Sequence, residues 1–403
     1  MLNHRTVSYI LVLPLMVYLY ILFRRVLRLV CGSLEKRKLS GKVSWNTILA
    51  AGLAVSGALP VLDIYSFGAM AALHVAVIGL ALDFFRWIKK ILLYRDESAR
   101  RGFKGPREKK QGNWKVITEI LPFFLTALIL LYGYLNTQVI VRTEYQVATQ
   151  KNIRPEGYTI AFLSDLHIGT TMKPEKLERI CKKIEENDPD FVILGGDIAD
   201  ESSSLEEVEQ TFRILSEIDS EFGTFYVYGN HDKGFYDSAC AFTPEQLEDS
   251  IRDCGITILE DETVMLNGEL TLSGRRDRTE AAHAGVKRAS AAKLAGEWRR
   301  DAEDKETAAM EAECYHIIVD HQPRGMEKNA AASFDLMLSG HTHGGQIWPV
   351  GLITKWTDKK TVNYGHVNID GMDVIVSSGI AGWKYPVRTG KHCEYVIVHV
   401  EKS

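Results

Sequence analysis

Seven residues spread along a 403-residue chain carry side chains that can ligate a divalent metal: Asp165, His167, Asp197, Asn230, His321, His341 and His343. Carboxylate oxygens, an amide oxygen and imidazole nitrogens suit first-row divalent ions. Asp197 follows Gly195-Gly196, which leave room for close approach, and each of its two oxygens can face a different ion. With Asp197 shared, the set gives about four protein ligands per ion and leaves space for water. Two ions about 3.5–4 Å apart can grip a hydroxide and both sides of a phosphoryl transfer, and binding makes that hydroxide available near neutral pH. The leaving oxygen then needs a proton. His231 sits beside a ligand without being required as one, which makes it the candidate general acid. Asp200, three residues past Asp197, is in reach to orient that imidazole and favour its protonated form.

Each of these motifs alone is weak. Asp-x-His is common by chance, a lone Gly-Asp is usually a turn, and Gly229-Asn230-His231-Asp232 could be a loop with satisfied side chains. His341-x-His343 before Gly344-Gly345 is more distinctive. A structural zinc site would explain that pair, but such a site calls for a closed four-ligand shell, usually with Cys, and no Cys is near. The force of the set comes from the elements that position it. Short β-branched and aromatic runs at 158–164, 191–195, 224–228, 316–319 and 335–338 read as strands. Helical patterns at 174–187, 205–218 and 243–254 alternate with them, which predicts an α/β domain. The five strands run in turn into Asp165 and His167, into Asp197, into Asn230 and His231, into Asp320 and His321, and into His341 and His343. In open α/β sheets the active crevice lies at those carboxyl ends. Asp165 and His167 start on one face if the chain stays extended, and a tight turn would also converge them. Residues 263–272 read as a hairpin around Asn267-Gly268, and 374–378 and 395–400 as closing strands. Residues 278–313, rich in Ala, Glu, Lys and Arg, read as a charged surface helix or helical insertion.

Upstream, apolar stretches at 7–23, 47–66, 69–85 and 118–135 each approach the length a helix needs to cross a bilayer. The first lacks a small-residue cleavage site and runs into Arg24 and Arg25, which argues against a signal peptide. Asp63, His74 and Asp83 interrupt the second and third, which could also be a buried pair; both aspartates lie near span ends, so an interfacial place suits them. Arg24, Arg25, Arg28, Lys36, Arg37, Lys38 and Lys42 follow the first span. Eleven Lys and Arg from Arg86 to Lys115 precede the fourth. Positive loops stay in the cytoplasm, so a membrane domain over 1–140 with both ends outside is expected, and the domain over 141–403 faces the extracytoplasmic side. The net charge of −4 lacks the basic footprint of a nucleic-acid binder. Six scattered cysteines show no zinc-finger spacing and read as incidental thiols.

With these residues in view, the sequence resembles the calcineurin-like metallophosphoesterase superfamily, and its layout resembles the branch called transmembrane proteins with a metallophosphoesterase domain. The matching blocks are Asp165-Leu166-His167, Gly196-Asp197-Ile198-Ala199-Asp200, Gly229-Asn230-His231-Asp232, His321 and Gly340-His341-Thr342-His343. The resemblance implies a two-sheet α/β/β/α sandwich over about 157–400 and two divalent ions, manganese, iron or zinc. It implies one ion on Asp165, His167, Asp197 and His343, and the other on Asp197, Asn230, His321 and His341. His231 and Asp200 match the acid and its orienting partner. Many protein phosphatases of the superfamily carry Arg after the Asp200 position, where Glu201 stands here, which argues against a phosphoprotein substrate. Arg388, in the 382–390 loop with Trp383 and Tyr385, is either a substrate contact or a surface arginine. Arg275, Arg276 and Asp277 leave the same two readings. The expected function is a membrane-anchored hydrolase of phosphomonoesters or phosphodiesters, with an envelope or lipid-linked phosphoester as the substrate the anchor suggests. A membrane sensor or scaffold with a non-catalytic domain is the alternative, set back because no ligand is missing. A transporter has too few central polar residues, and a nuclease lacks a basic groove.

Overall fold

The computed structural model describes residues 4–31, 43–63, 66–99, 112–237, 239–300, 313–358 and 360–403. Much of both basic loops and the 301–312 part of the charged insertion lie outside them. The chain divides into two compact units, Met1–Tyr132 and Gly133–Ser403.

Helices α1 (His4–Val30), α2 (Trp45–Ala58), α3 (Phe67–Ala99) and α4 (Gly112–Gln138) come first. Each contains a stretch long and apolar enough to cross a membrane: Ser8–Val30, Trp45–Leu62 (a 3-10 turn continues α2), Phe67–Leu92 and Thr118–Gln138. Leu15, Leu19 and Leu22 of α1 pack on Ala54, Ala58, Ala69, Ala72 and Ala76. Small side chains at that seam let helices approach closely where lipid gives no hydrophobic drive. Tyr9, Leu13, Phe85 and Leu131 point outward and are exposed. The charges interrupting these helices are paired: Arg25 and Arg86 each donate to Asp83 at 2.8 Å, and Arg86 also reaches Glu119 at 3.0 Å. His74 is held structurally, its Nδ1 2.8 Å from the Met70 carbonyl.

The second unit contains two six-stranded mixed sheets. The first runs in the order β1 (Ile140–Thr149), β12 (Cys393–Lys402), β2 (Tyr158–Leu163), β3 (Phe191–Leu194), β4 (Thr224–Tyr226) and β5 (Thr257–Ile258). The second runs β10 (Gly365–Ile369), β11 (Met372–Val376), β9 (Leu336–Ser339), β8 (Tyr315–Val319), β7 (Leu270–Gly274) and β6 (Glu262–Leu266). Successive side chains on a strand face opposite ways. Ile160 and Phe162 therefore join Ile317, Val319, Leu336 and Leu338 between the sheets, while Ala161 and Leu163 face the helices. Both faces are covered, which is why these strands read as unbroken apolar runs. Three helices cover the first sheet: α5 (Pro174–Glu185), α6 (Leu205–Ser216) and α7 (Pro244–Arg252). Helix α5 starts on Pro174 and buries Leu177, Ile180, Cys181 and Ile184, one face at helical spacing. Ser204 with Glu207, and Thr243 with Gln246, close capping boxes on α6 and α7. The result is the α/β/β/α sandwich.

Three details differ from the sequence expectations. Strand β1, one residue after α4, pairs in parallel with the C-terminal β12; its alternating polar pattern gave no earlier sign of a partner. The charged insertion is more than a solvated face. Within it, α8 (Arg278–Ala284) is capped by Asp277, and α9 (Ala291–Arg300) buries Ala291, Leu294 and Ala295 under the second sheet beside α10 (Met326–Ala330). Arg275 and Arg276 contact acidic groups of the fold, Asp320 for the first and Glu260 and Glu280 for the second, so neither is free for substrate.

Candidate metal centre

Strands β2, β3, β4, β8 and β9 deliver their following loops to one place. Three carboxylate-imidazole groups form there, the ligand-capable atoms of each within 4.8 Å of one another: Asp165 with His167 and His343, Asp197 with His321 and His341, and Asp200 with Glu201 and His231. Six of the seven candidate ligands are thus in the first two groups. The seventh, Asn230, lies beside His231, whose backbone N–H donates to Asp197 Oδ1 at 2.8 Å. All are buried except His341, which is half-buried.

The loops do not stay extended as they leave the strands. Asp165, His167, Asp197, His341 and His343 all have positive φ, from 42° to 70°. Non-glycine residues seldom adopt that conformation, and each costs of order 1 kcal/mol that the surrounding structure must hold. Tight left-handed turns, rather than extension, bring Asp165 and His167 together. Two close approaches hold the turns. A Cβ at Gly340 would collide with Asp165 Oδ2, and one at Gly229 with Asp197 Oδ1. Asp232, fully buried, accepts from the backbone N–H groups of Asp197, Ile198, Ala199 and Gly229 at 2.6 to 3.0 Å. It thereby ties the loop after β3 to the loop after β4.

The imidazoles are aimed. His321 donates from Nδ1 to the Gly195 carbonyl at 2.8 Å, which leaves Nε2 facing Asp197 Oδ2 at 3.1 Å. His167 donates from Nδ1 to Asp200 Oδ2 at 3.0 Å, and its Nε2 faces His343 Nε2 at 3.2 Å. A histidine held from behind on one nitrogen presents the other to a cation. Two imidazole nitrogens facing each other beside two aspartates are a donor set for a cation, since neutral rings gain little from each other. Asn230 Oδ1 is buried with no hydrogen-bond partner among the described residues, a costly state unless a ligand is to be bound. Burial and the neighbouring His321 push the His341 imidazole down to about 3, and burial beside His167 and Arg388 holds His343 well below its usual range. Both are therefore neutral, as ligands must be. The residues present fit two divalent cations.

The partner of His231 is a correction. Asp200 does not bond it; Asp200 is spent on His167. His231 Nδ1 instead meets Glu201 Oε1 at 2.9 Å and Oε2 at 3.0 Å. Burial would lower the His231 pKa, but the charge of Asp197 and the Glu201 hydrogen bond outweigh it and raise the imidazole to about 9. The rings of Trp383 and Tyr236 flank it at 5.2 and 4.9 Å. Sequence reasoning had Glu201 only as a missing arginine, although its place next to Asp200 put a second carboxylate in the same loop.

Arg388 is a second correction, being neither a surface residue nor a substrate contact. It is fully buried and donates to the carbonyls of Ser378, Gly379 (3.1 Å), His392 (3.0 Å) and His343 (3.2 Å). Gln346 braces the same loop by donating to the Trp383 and Val387 carbonyls at 3.1 Å and accepting from the Trp383 N–H at 2.9 Å.

Residues 158–345 match the family model described as calcineurin-like phosphoesterase. A metallophosphoesterase of Aquifex aeolicus is 27% identical over 69% of this chain and 98% of its own length. One from Helicobacter pylori is 31% identical over 57% of this chain and 56% of its own. A transmembrane protein with metallophosphoesterase domain from Danio rerio is 25% identical over 70% of this chain and 63% of its own.

Proposed function

Because the chain carries a calcineurin-like phosphoesterase domain across residues 158–345, we propose that it is a membrane-anchored hydrolase of phosphoesters that works with two divalent cations. The observation that carries this reading is the aim of the donors. His167 and His321 are fixed from behind and turn Nε2 toward aspartate oxygens, and buried Asn230 Oδ1 lacks a partner among the described residues. Asp165, His167, Asp197 and His343 would hold one cation, and Asp197, Asn230, His321 and His341 the other. Such a pair supplies positive charge for the phosphoryl oxygens and lowers the pKa of bound water into the neutral range. Asp197 faces both sides through Oδ2, 3.1 Å from His321 Nε2 and 3.8 Å from His167 Nε2. His231, protonated at neutral pH, donates its proton to the leaving oxygen, and Glu201 holds the ring for that transfer. Glu201 is committed to the acid, so the loop after β3 offers no arginine to a phosphoprotein.

Removing metal with a chelator is expected to abolish hydrolysis of an aryl phosphoester. Reloading separately with manganese, iron or zinc should restore it to different degrees. Full turnover in protein shown to be metal-free would end the reading.

The two Lys- and Arg-rich loops support a layout in which both lie in the cytoplasm and the domain faces outward. A reporter enzyme active only outside the cytoplasm, fused after Ser403, is expected to be active. An inactive outer reporter together with an active cytoplasmic one would reverse the orientation. A phosphoester carried by the envelope, such as a phospholipid or lipid-linked phosphate, is the substrate class this anchoring favours.

A further inference from the structure

The segment after the His341-x-His343 turn exposes apolar side chains in a way that water does not favour. Trp348, Val350, Leu352, Ile353 and Trp356 are 64%, 49%, 53%, 53% and 83% exposed within nine consecutive residues. Helix α11 (Val350–Thr357) has no buried residue at all. Elsewhere in the sandwich, the exposed large hydrophobics among the described residues come singly, as Met265 and Val286 do, or as the pair Phe235 and Tyr236. A contiguous apolar surface of this kind calls for a partner.

The position of the segment says which partner. The last residues of the fourth apolar stretch, from Gly133 on, belong to the second unit and dock on the 387–389 loop. Arg388 N–H donates to the Gly133 carbonyl at 3.0 Å, and Asn136 Nδ2 donates to the Arg388 carbonyl at 2.9 Å. The same loop holds the start of the apolar segment. Thr389 N–H donates to the Gln346 carbonyl at 2.9 Å, and Trp348 N–H donates to Thr389 Oγ1 at 2.9 Å. Gly133 lies five residues inside the stretch that ends at Gln138, which at helical rise is roughly 7.5 Å below its end. The loop, and through it the Trp348 end of the segment, is therefore bonded to the last turns of that stretch, where a span would leave the hydrocarbon. Lys355, Lys360 and Lys391 are exposed around the segment, as suits anionic headgroups. Tryptophans on an apolar face rimmed by lysine are the composition of a helix lying in a membrane interface.

We propose that residues 348–357 lie in the headgroup region of the bilayer that carries the chain, and so hold the mouth of the metal centre against phosphoesters borne on lipid. Gln346, just before the segment, braces Trp383, whose ring packs on His231, so the docked segment and the acid share one support. The docking stands on its own; the lipid substrate also rests on the phosphoesterase reading.

The test uses the full chain in vesicles of phosphatidylcholine and phosphatidylglycerol, with ordinary or brominated acyl chains. Bromine darkens tryptophan that reaches it. In ordinary lipid, replacing Trp348→Phe and Trp356→Phe together removes a fixed amount of emission per protein. In brominated lipid the amount removed is expected to be about threefold smaller, since rings buried 5–10 Å deep are already dark. Leu352→Asp with Ile353→Asp, which lifts the segment, should restore equal amounts. Equal amounts in the unaltered segment overturn the docking, as does shielding from acrylamide without sensitivity to bromine, which would mean a protein partner. For the substrate, the ratio of phosphatidic acid hydrolysis in vesicles to aryl phosphoester hydrolysis should fall about tenfold in the Asp variant, because the domain is still tethered by the spans but its mouth is no longer held at the lipid. An unchanged ratio removes the lipid substrate. Absence of any hydrolysis leaves the optical result intact, so docking and catalysis fail separately.

Discussion

Asp197→Ala is expected to lower turnover by about 10³-fold or more, the scale lost when a preorganised charge leaves a water-excluded site. Bound metal should fall below two equivalents at the same time. Asp197 faces both groups of donors: Oδ2 lies 3.1 Å from His321 Nε2 and 3.8 Å from His167 Nε2. Its Oδ1 also accepts the His231 backbone N–H, so the change loosens the acid as well. Asp197→Asn separates these effects, since it keeps the size and an oxygen for that N–H but loses the charge. In chelator, the Asn variant should melt lower than the unaltered protein. Burial opposes the charge of Asp197, but His321, His231 and His167 outweigh it and hold the carboxyl well below its usual range, so the ionised group stabilises the metal-free fold and its loss removes that. Activity should remain lost. Two equivalents of metal and normal turnover in the Ala variant would show that no shared ligand exists at this position.

Glu201→Gln and Asp200→Asn are expected to fail in different ways, although the residues are neighbours. Glu201 acts on His231, so its amide variant should keep its metal and lose about 10²-fold in turnover, within the range of general acid catalysis. Its pH profile should also move. The Glu201 carboxylate helps raise the His231 pKa toward about 9. Removing that charge lowers the pKa, the ring loses its proton at lower pH, and the alkaline limb shifts down. Asp200 acts on His167, which favours its ionised form and holds its carboxyl far below the usual range. Asp200→Asn should therefore weaken metal binding about 10–100-fold and regain most of its turnover at saturating metal. If Asp200→Asn moved the pH profile and Glu201→Gln weakened metal binding, the roles would be exchanged.

The strands that carry the site were legible because each lies between covered faces and reads as an apolar run that stops at a polar ligand. Ile160 to Leu163 and Leu336 to Leu338 are examples. Strand β1 was not, because it lies at the edge of its sheet, four of its ten residues are exposed, and its partner is the distant β12. Arg388 was misread for a related reason. Burial of an arginine depends on carbonyls converging from Ser378, Gly379, His392 and His343, and no local pattern announces that convergence.

The amino-acid sequence by itself determined which atoms are available for the chemistry, since ligand character belongs to the residue type and its place at a strand end to the apolar pattern before it. Only the tertiary structure decided how those atoms are shared out. The left-handed turns at Asp165, His167 and Asp197, closed by Gly229 and Gly340, set the direction of each side chain. A change of one residue in a tight turn redirects a carboxylate, which is why Asp200 stands behind a ligand and Glu201 behind the acid.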